Sequence, residues 1–210
     1  MRYFPISVDT KDKKVLVAGG GRAAFLKLKS LIFTMASIDV VSASFSDEVL
    51  KLSNNYPNKL FLKTMTINPD SIDFEDDYII VFACTDNNEV NKNLRLYFKH
   101  KKIQVLTSDD RENSDFITSS LLHRGNITIA VNTEGRSPTA SKMIIKEAEK
   151  ILTEELIKKV DLLSSIRQLL LKDKDKSTNE ILTISEMEKL SLLSCSDLEE
   201  KLKELNKSGE

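Results

Sequence analysis

The chain lacks an excess of either charge. Its 31 basic and 32 acidic residues leave a formal net charge of −1 at pH 7. That excludes a global basic surface of the kind that holds nucleic acid or an anionic membrane. It also lacks any apolar run near the ~20 residues of a membrane-spanning helix. The leading stretch, MRYFPISVDTKDKK, has no apolar core of signal-peptide length, so the expected compartment is the cytoplasm. Cysteine is scarce. Cys84 and Cys195 lie far apart and form no ligand cluster, so reduced, free thiols are expected. Histidine is equally scarce: His100 and His123 lack metal-ligand spacing, and no metal site is expected. No internal repeat is present. What remains is an ordinary globular composition, 40% hydrophobic and 30% charged over 210 residues. It is enough for one large domain or two small ones.

Against this background one stretch stands out, KVLVAGGGRAA at residues 14–24. An apolar run, Val15 to Ala18, ends in Gly19-Gly20-Gly21, and a helix-like segment starts at Arg22 and Ala23. The pattern is the G-x-G-x-x-A form of a dinucleotide fingerprint, carried by Gly19, Gly21 and Ala24. Gly19 permits a sharp turn out of the strand. Gly21 lacks a Cβ and lets a pyrophosphate approach the backbone. Ala24 allows close packing of helix on strand. The helix N-terminus offers unpaired N–H groups to the phosphates. The plainer alternative is a glycine-rich turn in an α/β protein without nucleotide.

Further along, residues 3–8 read as an edge strand or extended lead-in, because Pro5 removes a ladder donor. Strands are expected at 38–43, 60–62, 78–83 and 103–106, with helical spacing between them. Asp86 reads as a helix N-cap ahead of Val90, Leu94, Tyr97 and Phe98. Strand alternating with helix implies an α/β fold with a Rossmann-type parallel sheet. The pattern then changes. Runs at 116–122 and 127–131 flank His123-Arg124-Gly125-Asn126 and predict a β-hairpin. Ser137-Pro138 opens a helix with an apolar stripe at Ala140, Ile144, Ala148, Ile151 and Leu152. Helical pattern continues to about Leu171, residues 172–177 form a charged linker, and two helices follow. Ser185 with Glu188, and Ser196 with Glu199, are their expected capping boxes.

Several of these stretches together resemble the precorrin-2 dehydrogenase / sirohydrochlorin ferrochelatase family, the N-terminal module of siroheme synthases. The likeness is carried in order by Tyr3-Phe4-Pro5-Ile6, by the glycine stretch, and by Phe82-Ala83-Cys84-Thr85-Asp86. It continues through Ser108-Asp109-Asp110 with Asp115-Phe116-Ile117, through residues 124–131, and through Thr133-Glu134-Gly135-Arg136-Ser137-Pro138. It covers residues 1 to about 152. The resemblance implies a Rossmann domain over 1–113, a dimerisation domain over 114–150 and a helical tail over 151–210, assembled as a homodimer. It implies oxidation of precorrin-2 to sirohydrochlorin with NAD, and in some members insertion of Fe2+ to give siroheme. Two alternatives remain open. One is a non-catalytic tetrapyrrole- or nucleotide-binding regulator on this fold. The other is a different Rossmann oxidoreductase with a small substrate.

By the resemblance, Asp109 matches the family's catalytic aspartate. It also follows a buried strand, at the edge where open α/β sheets bind ligands. The cofactor-binding set is Gly19, Gly20, Gly21, Arg22, Ala23, Ala24, Ser42, Thr85 and Asp86. Asp110 reads as a solvated neighbour. The end of the second strand, Val41-Ser42-Ala43-Ser44, lacks the ribose-binding acid of conventional fingerprints. Ser42 or Ser44 is left to bind a ribose hydroxyl, so the preference for NAD rests on the resemblance. Thr133, Arg124 and Arg136 are the substrate-binding candidates, the cations because the substrate is rich in carboxylates. Arg22, Arg111 and Lys142 are further cations, each also readable as a surface charge.

Overall fold

The computed structural model describes residues 2–68, 70, 73, 74, 77–172 and 179–208. They form two compact units, Met1–Thr118 and Ser119–Glu210.

The first unit contains β1 (Lys14–Ala18), α1 (Arg22–Leu31), β2 (Ser37–Ser42), α2 (Asp47–Asn55), β3 (Leu60–Thr64), β4 (Tyr78–Ala83), α3 (Asn88–His100) and β5 (Gln104–Thr107). The strands form one parallel sheet in the order β3-β2-β1-β4-β5. β1 therefore lies between two crossovers, and the ends of β1 and β4 form the switch point where such sheets bind ligands. Alternation along β1 sends Val15 and Val17 to one face and Leu16 and Ala18 to the other, and all four are buried. The first face is covered by Ala24, Leu28 and Leu31 of α1 and by Val49 of α2. The second is covered by Val90, Leu94 and Phe98 of α3. A fully buried side chain of this size contributes about 1.5–3 kcal/mol.

Residues 3–8 form no strand with any of the described residues, and Phe4 is 77% and Ile6 74% exposed. Phe116, expected to open the hairpin, instead packs on the first unit's core. Its ring meets Phe82 edge-on at a centroid distance of 5.4 Å. An aromatic side chain satisfies either reading of the local pattern, and the neighbouring core decides between them.

The second unit opens with the hairpin β6 (Ser120–Arg124) and β7 (Ile127–Val131), paired from Ser120↔Val131 to Arg124↔Ile127. The turn is only Gly125-Asn126, with Gly125 at φ +54°. His123 lies on β6, not in the turn, and its Nδ1 meets Thr128 Oγ1 across the hairpin at 2.9 Å. Helix α4 (Pro138–Ile151) is capped by Ser137, whose Oγ accepts from Ala140 N–H, and it packs on the hairpin. The expected apolar stripe is only partly covered within one chain: Ile144 is 44% and Ile151 67% exposed. The helix does not run on unbroken. It stops at Leu152-Thr153, and α5 (Glu154–Lys172) begins afresh.

Helices α6 (Asn179–Leu190) and α7 (Cys195–Ser208) complete the tail, with Ile166 and Leu198 fully buried. The charged linker falls almost wholly on residues 173–178, outside the described residues. Ser185 is interior to α6 and caps nothing. The cap of α7 is Ser194 rather than Ser196: Ser194 Oγ accepts from Asp197 N–H at 3.2 Å, and Asp197 Oδ2 accepts from Ser194 N–H at 3.2 Å. Each serine has an acid three residues on, so the pattern alone cannot separate them.

Candidate functional site

The glycine stretch folds as a strand, a tight turn and a helix. Gly19 has φ +126°, and a Cβ there would overlap the carbonyl of Cys84. A Cβ at Gly20 would overlap the carbonyl oxygen of Ser44 and crowd Phe45. Gly20 is thus needed where the loop after β2 crosses the turn, a packing role its place between the fingerprint glycines does not reveal. A Cβ at Gly21 would meet no atom within 4 Å, so this glycine faces open space. Gly21 is also the N-cap of α1 and makes no side-chain cap. The first helical bond is Phe25 N–H to Gly21 O at 3.0 Å. The N–H groups of residues 22–24 therefore have no backbone acceptor among the described residues.

That open space belongs to a cavity of about 690 Å³. It is lined by residues 19–23, 41–46, 65–67 and 84–87, with Val90. The volume lies within the roughly 300–1,000 Å³ of ligand pockets. Free helix N–H groups, no acid in the first turn of α1 and open space at Gly21 suit a pyrophosphate. Ser42 and Ser44 both line the cavity wall at the end of β2. The one acid of β2, Asp39, sits mid-strand and is committed elsewhere: Oδ2 accepts from Tyr78 Oη at 2.7 Å and from Lys63 Nζ at 2.8 Å. The residues present thus fit a dinucleotide, with hydroxyls rather than a carboxylate on the ribose side.

Of the expected cofactor residues, Gly19, Gly20, Gly21, Arg22, Ala23, Ser42, Thr85 and Asp86 line this cavity. Ala24 does not; it is fully buried beneath α1 against the sheet. Asp86 is not the N-cap of α3. Asn87 is, with Oδ1 accepting from Glu89 N–H at 2.9 Å and Val90 N–H at 3.2 Å. Asp86 is left exposed on the cavity rim.

Cys84, at the end of β4, also lines the cavity, and burial pushes its thiol up to about 11. Burial lowers the nearby Lys27 ammonium, whose Nζ donates to Thr118 Oγ1 at 2.9 Å.

Asp109 follows β5 on an exposed loop. Its Oδ1 accepts from Asn91 Nδ2 at 2.8 Å, and its Oδ2 has no partner among the described residues. The loop itself is closed. Thr107 Oγ1 and Ser114 Oγ both donate to Asp110 O, at 2.7 and 2.8 Å. Asp110 is a turn anchor whose carboxylate also stays open to solvent. Oδ2 accepts from the Asn113 side chain at 2.7 Å and Oδ1 from Asn113 N–H at 3.2 Å, and these bonds hold its carboxyl below its usual range.

Asn91 itself was not singled out in the sequence. It is fully buried, and its spacing of three and seven from Leu94 and Phe98 places it on the apolar stripe of α3. A lone amide on a buried stripe is the signal that could have found it.

Thr133, Arg136 and Arg124 belong to the second unit. Thr133 and Arg136 share one turn, closed by Arg136 N–H to Thr133 O at 2.9 Å. Thr133 Oγ1 accepts from Ser137 N–H at 3.2 Å. Glu134 takes φ +47° in this turn, a conformation that favours glycine. Arg124 lies at the opposite end of the hairpin, about 14 Å away along the strand by its register. Arg124 pairs with Glu149 at 2.7 Å, and Arg136 with Glu134 at 3.4 Å. Arg111 and Lys142 are exposed.

Among known proteins, the chain is 27% identical to the "Precorrin-2 dehydrogenase" of Bacillus subtilis over 79% of its own length and 98% of that protein. It is 29% identical to the "Siroheme synthase" of Ruthia magnifica over 85% of its length, and 30% identical to that of Pseudoalteromonas atlantica over 74%. The chain spans about a third of those two synthases, 36% and 33%. A solved structure, "SirC, precorrin-2 dehydrogenase", shares the fold with a TM-score of 0.71 at 22% identity, over 97% of this chain and 99% of that one. The family described as "Putative NAD(P)-binding" matches residues 6–120, the stretch that contains β1 to β5 and the whole cavity, and the chain belongs to that family.

Proposed function

We propose that the chain is a cytoplasmic, NAD-dependent precorrin-2 dehydrogenase. The observation that carries this reading is the joining of the glycine-lined cavity to an exposed carboxylate: Asn91 bonds both Thr85 on the cavity wall and Asp109. The near-complete coverage of the Bacillus subtilis precorrin-2 dehydrogenase supports the choice of substrate.

A bound nicotinamide dinucleotide supplies the acceptor for a hydride. The chain's own residues do the rest. The N–H groups of residues 22–24 hold the pyrophosphate, and Gly21 leaves room for it. Ser42 or Ser44 bonds a ribose hydroxyl. Asp109 Oδ2 takes the proton that must leave the macrocycle with the hydride. Arg124, Arg136 and Thr133 bind substrate carboxylates. In the same reading Fe2+ is a second substrate, and Asp109 accepts pyrrole protons as the macrocycle receives the ion. The functional unit is a homodimer, in which a second copy covers the exposed side of α4 at Ile144 and Ile151. The test is the appearance of NADH when precorrin-2 and NAD+ are added to the protein. A parallel run with NADP+ checks the cofactor preference.

A further inference from the structure

Asn91 is a polar side chain with no exposed surface, on the face of α3 that packs against the sheet. A buried amide is costly unless every polar atom is bonded, and here every one is. Oδ1 accepts from Thr85 N–H at 3.1 Å and from Thr85 Oγ1 at 2.7 Å. Nδ2 donates to Thr85 O at 3.1 Å and to Asp109 Oδ1 at 2.8 Å.

The two bonds to the Thr85 backbone fix which way the amide faces. The Thr85 N–H needs an acceptor and the Thr85 carbonyl needs a donor, so oxygen and nitrogen cannot exchange places. The remaining Nδ2 hydrogen then has one direction, and an acceptor must stand there. Asp109 Oδ1 is that acceptor. The bond uses one carboxylate oxygen and leaves Oδ2 outward.

We propose that Asn91 is a positioning residue: it reads the Thr85 backbone at the cavity wall and aims the Asp109 carboxylate from it. The proposal rests on the reading of Asp109 as the proton acceptor. Thr85 lines the dinucleotide cavity, so the carboxylate is indexed to the wall that holds the cofactor. Nothing else in the described residues bonds the Asp109 side chain, and its backbone stands on a loop fastened separately by Thr107, Asp110 and Ser114.

The test is a cycle of Asn91→Leu, Asp109→Ala and the double variant in the full chain, with precorrin-2 turnover, KM and dinucleotide affinity measured for each. Misplacing a reacting group by about 1 Å costs up to ~100-fold, so Asn91→Leu is expected to lower kcat roughly 10–100-fold with substrate KM nearly unchanged. In the Asp109→Ala background the same substitution is expected to change kcat by less than about twofold, because the two residues act as one unit. A purely structural Asn91 would give the same fractional loss in both backgrounds, and that result would overturn the proposal.

A second measurement covers the case in which Asn91→Leu does not fold. In the Asp109→Ala protein, one of the two Asn91 side-chain amide protons is expected to shift and to exchange faster by NMR. Unchanged amide resonances would overturn the proposal. If the wild-type chain does not oxidise precorrin-2, the assigned reaction fails separately, and the amide resonances alone decide the role of Asn91.

Discussion

A side chain at Gly19 would overlap the carbonyl oxygen of Cys84, the residue that follows the neighbouring strand β4. Gly21, two positions on, has no atom within 4 Å of where its side chain would stand. The two fingerprint glycines therefore fail differently when replaced. Gly19→Ala adds a clash and a left-handed φ, and is expected to lower stability by more than ~2 kcal/mol. Gly21→Asp is expected to fold normally and lose dinucleotide binding, because a carboxylate fills and repels the phosphate position. Urea unfolding and calorimetric titration with NAD+ separate the two outcomes.

Phe116 packs edge-on against Phe82. Truncating a fully buried phenylalanine costs ~3–5 kcal/mol, and Phe116 is half-buried, so Phe116→Ala is expected to cost about 2 kcal/mol. The loss should appear in the unfolding of the first unit, with the sedimentation coefficient unchanged.

The proposed homodimer is tested at α4. Ile144→Asp with Ile151→Asp places two carboxylates on the exposed side of that helix. Wild-type protein is expected to sediment as a dimer and the double variant as a folded monomer. A concentration-independent monomer in the wild type would contradict the assembly.

The Cys84 thiol, ordinarily near 9, titrates at about 11 because burial disfavours the thiolate. A raised folded value means that its contribution is complete below pH 9 and is lost as pH rises from 9 toward 11. The loss amounts to about 3 kcal/mol. Melting temperature should fall more steeply above pH 9 in the wild type than in Cys84→Ala. Parallel curves for the two proteins would contradict the assignment to this thiol.

The sheet was readable because its strands are buried on both faces. Tyr78 to Ala83 is a continuous apolar run, and β4 has those bounds. The start of α4 was readable because Ser137-Pro138 supplies both a cap and a fixed φ. Signals that several neighbours share were not decisive. Asp86 and Asn87 are equally good caps in isolation, and the path of the chain out of β4 selects Asn87. Ser194 and Ser196 differ only in where α7 begins. The cavity followed from the fingerprint. The tie from Thr85 through Asn91 to Asp109 did not, because it joins residues 85, 91 and 109 through tertiary packing alone.

Oxidation of precorrin-2 with Asp109 as the proton acceptor is the reaction proposed for this chain. The direct measurement is NADH formation from precorrin-2 and NAD+ by the wild type, Asp109→Ala and Asp110→Asn, side by side. Asp110→Asn keeps most of the turn's hydrogen bonds and serves as the control. The expected result is turnover by the wild type and by Asp110→Asn, and a loss of roughly 10²–10⁴ in Asp109→Ala at unchanged NAD+ affinity. Absence of NADH from dinucleotide-bound wild-type protein, or equal turnover in Asp109→Ala, would contradict the account.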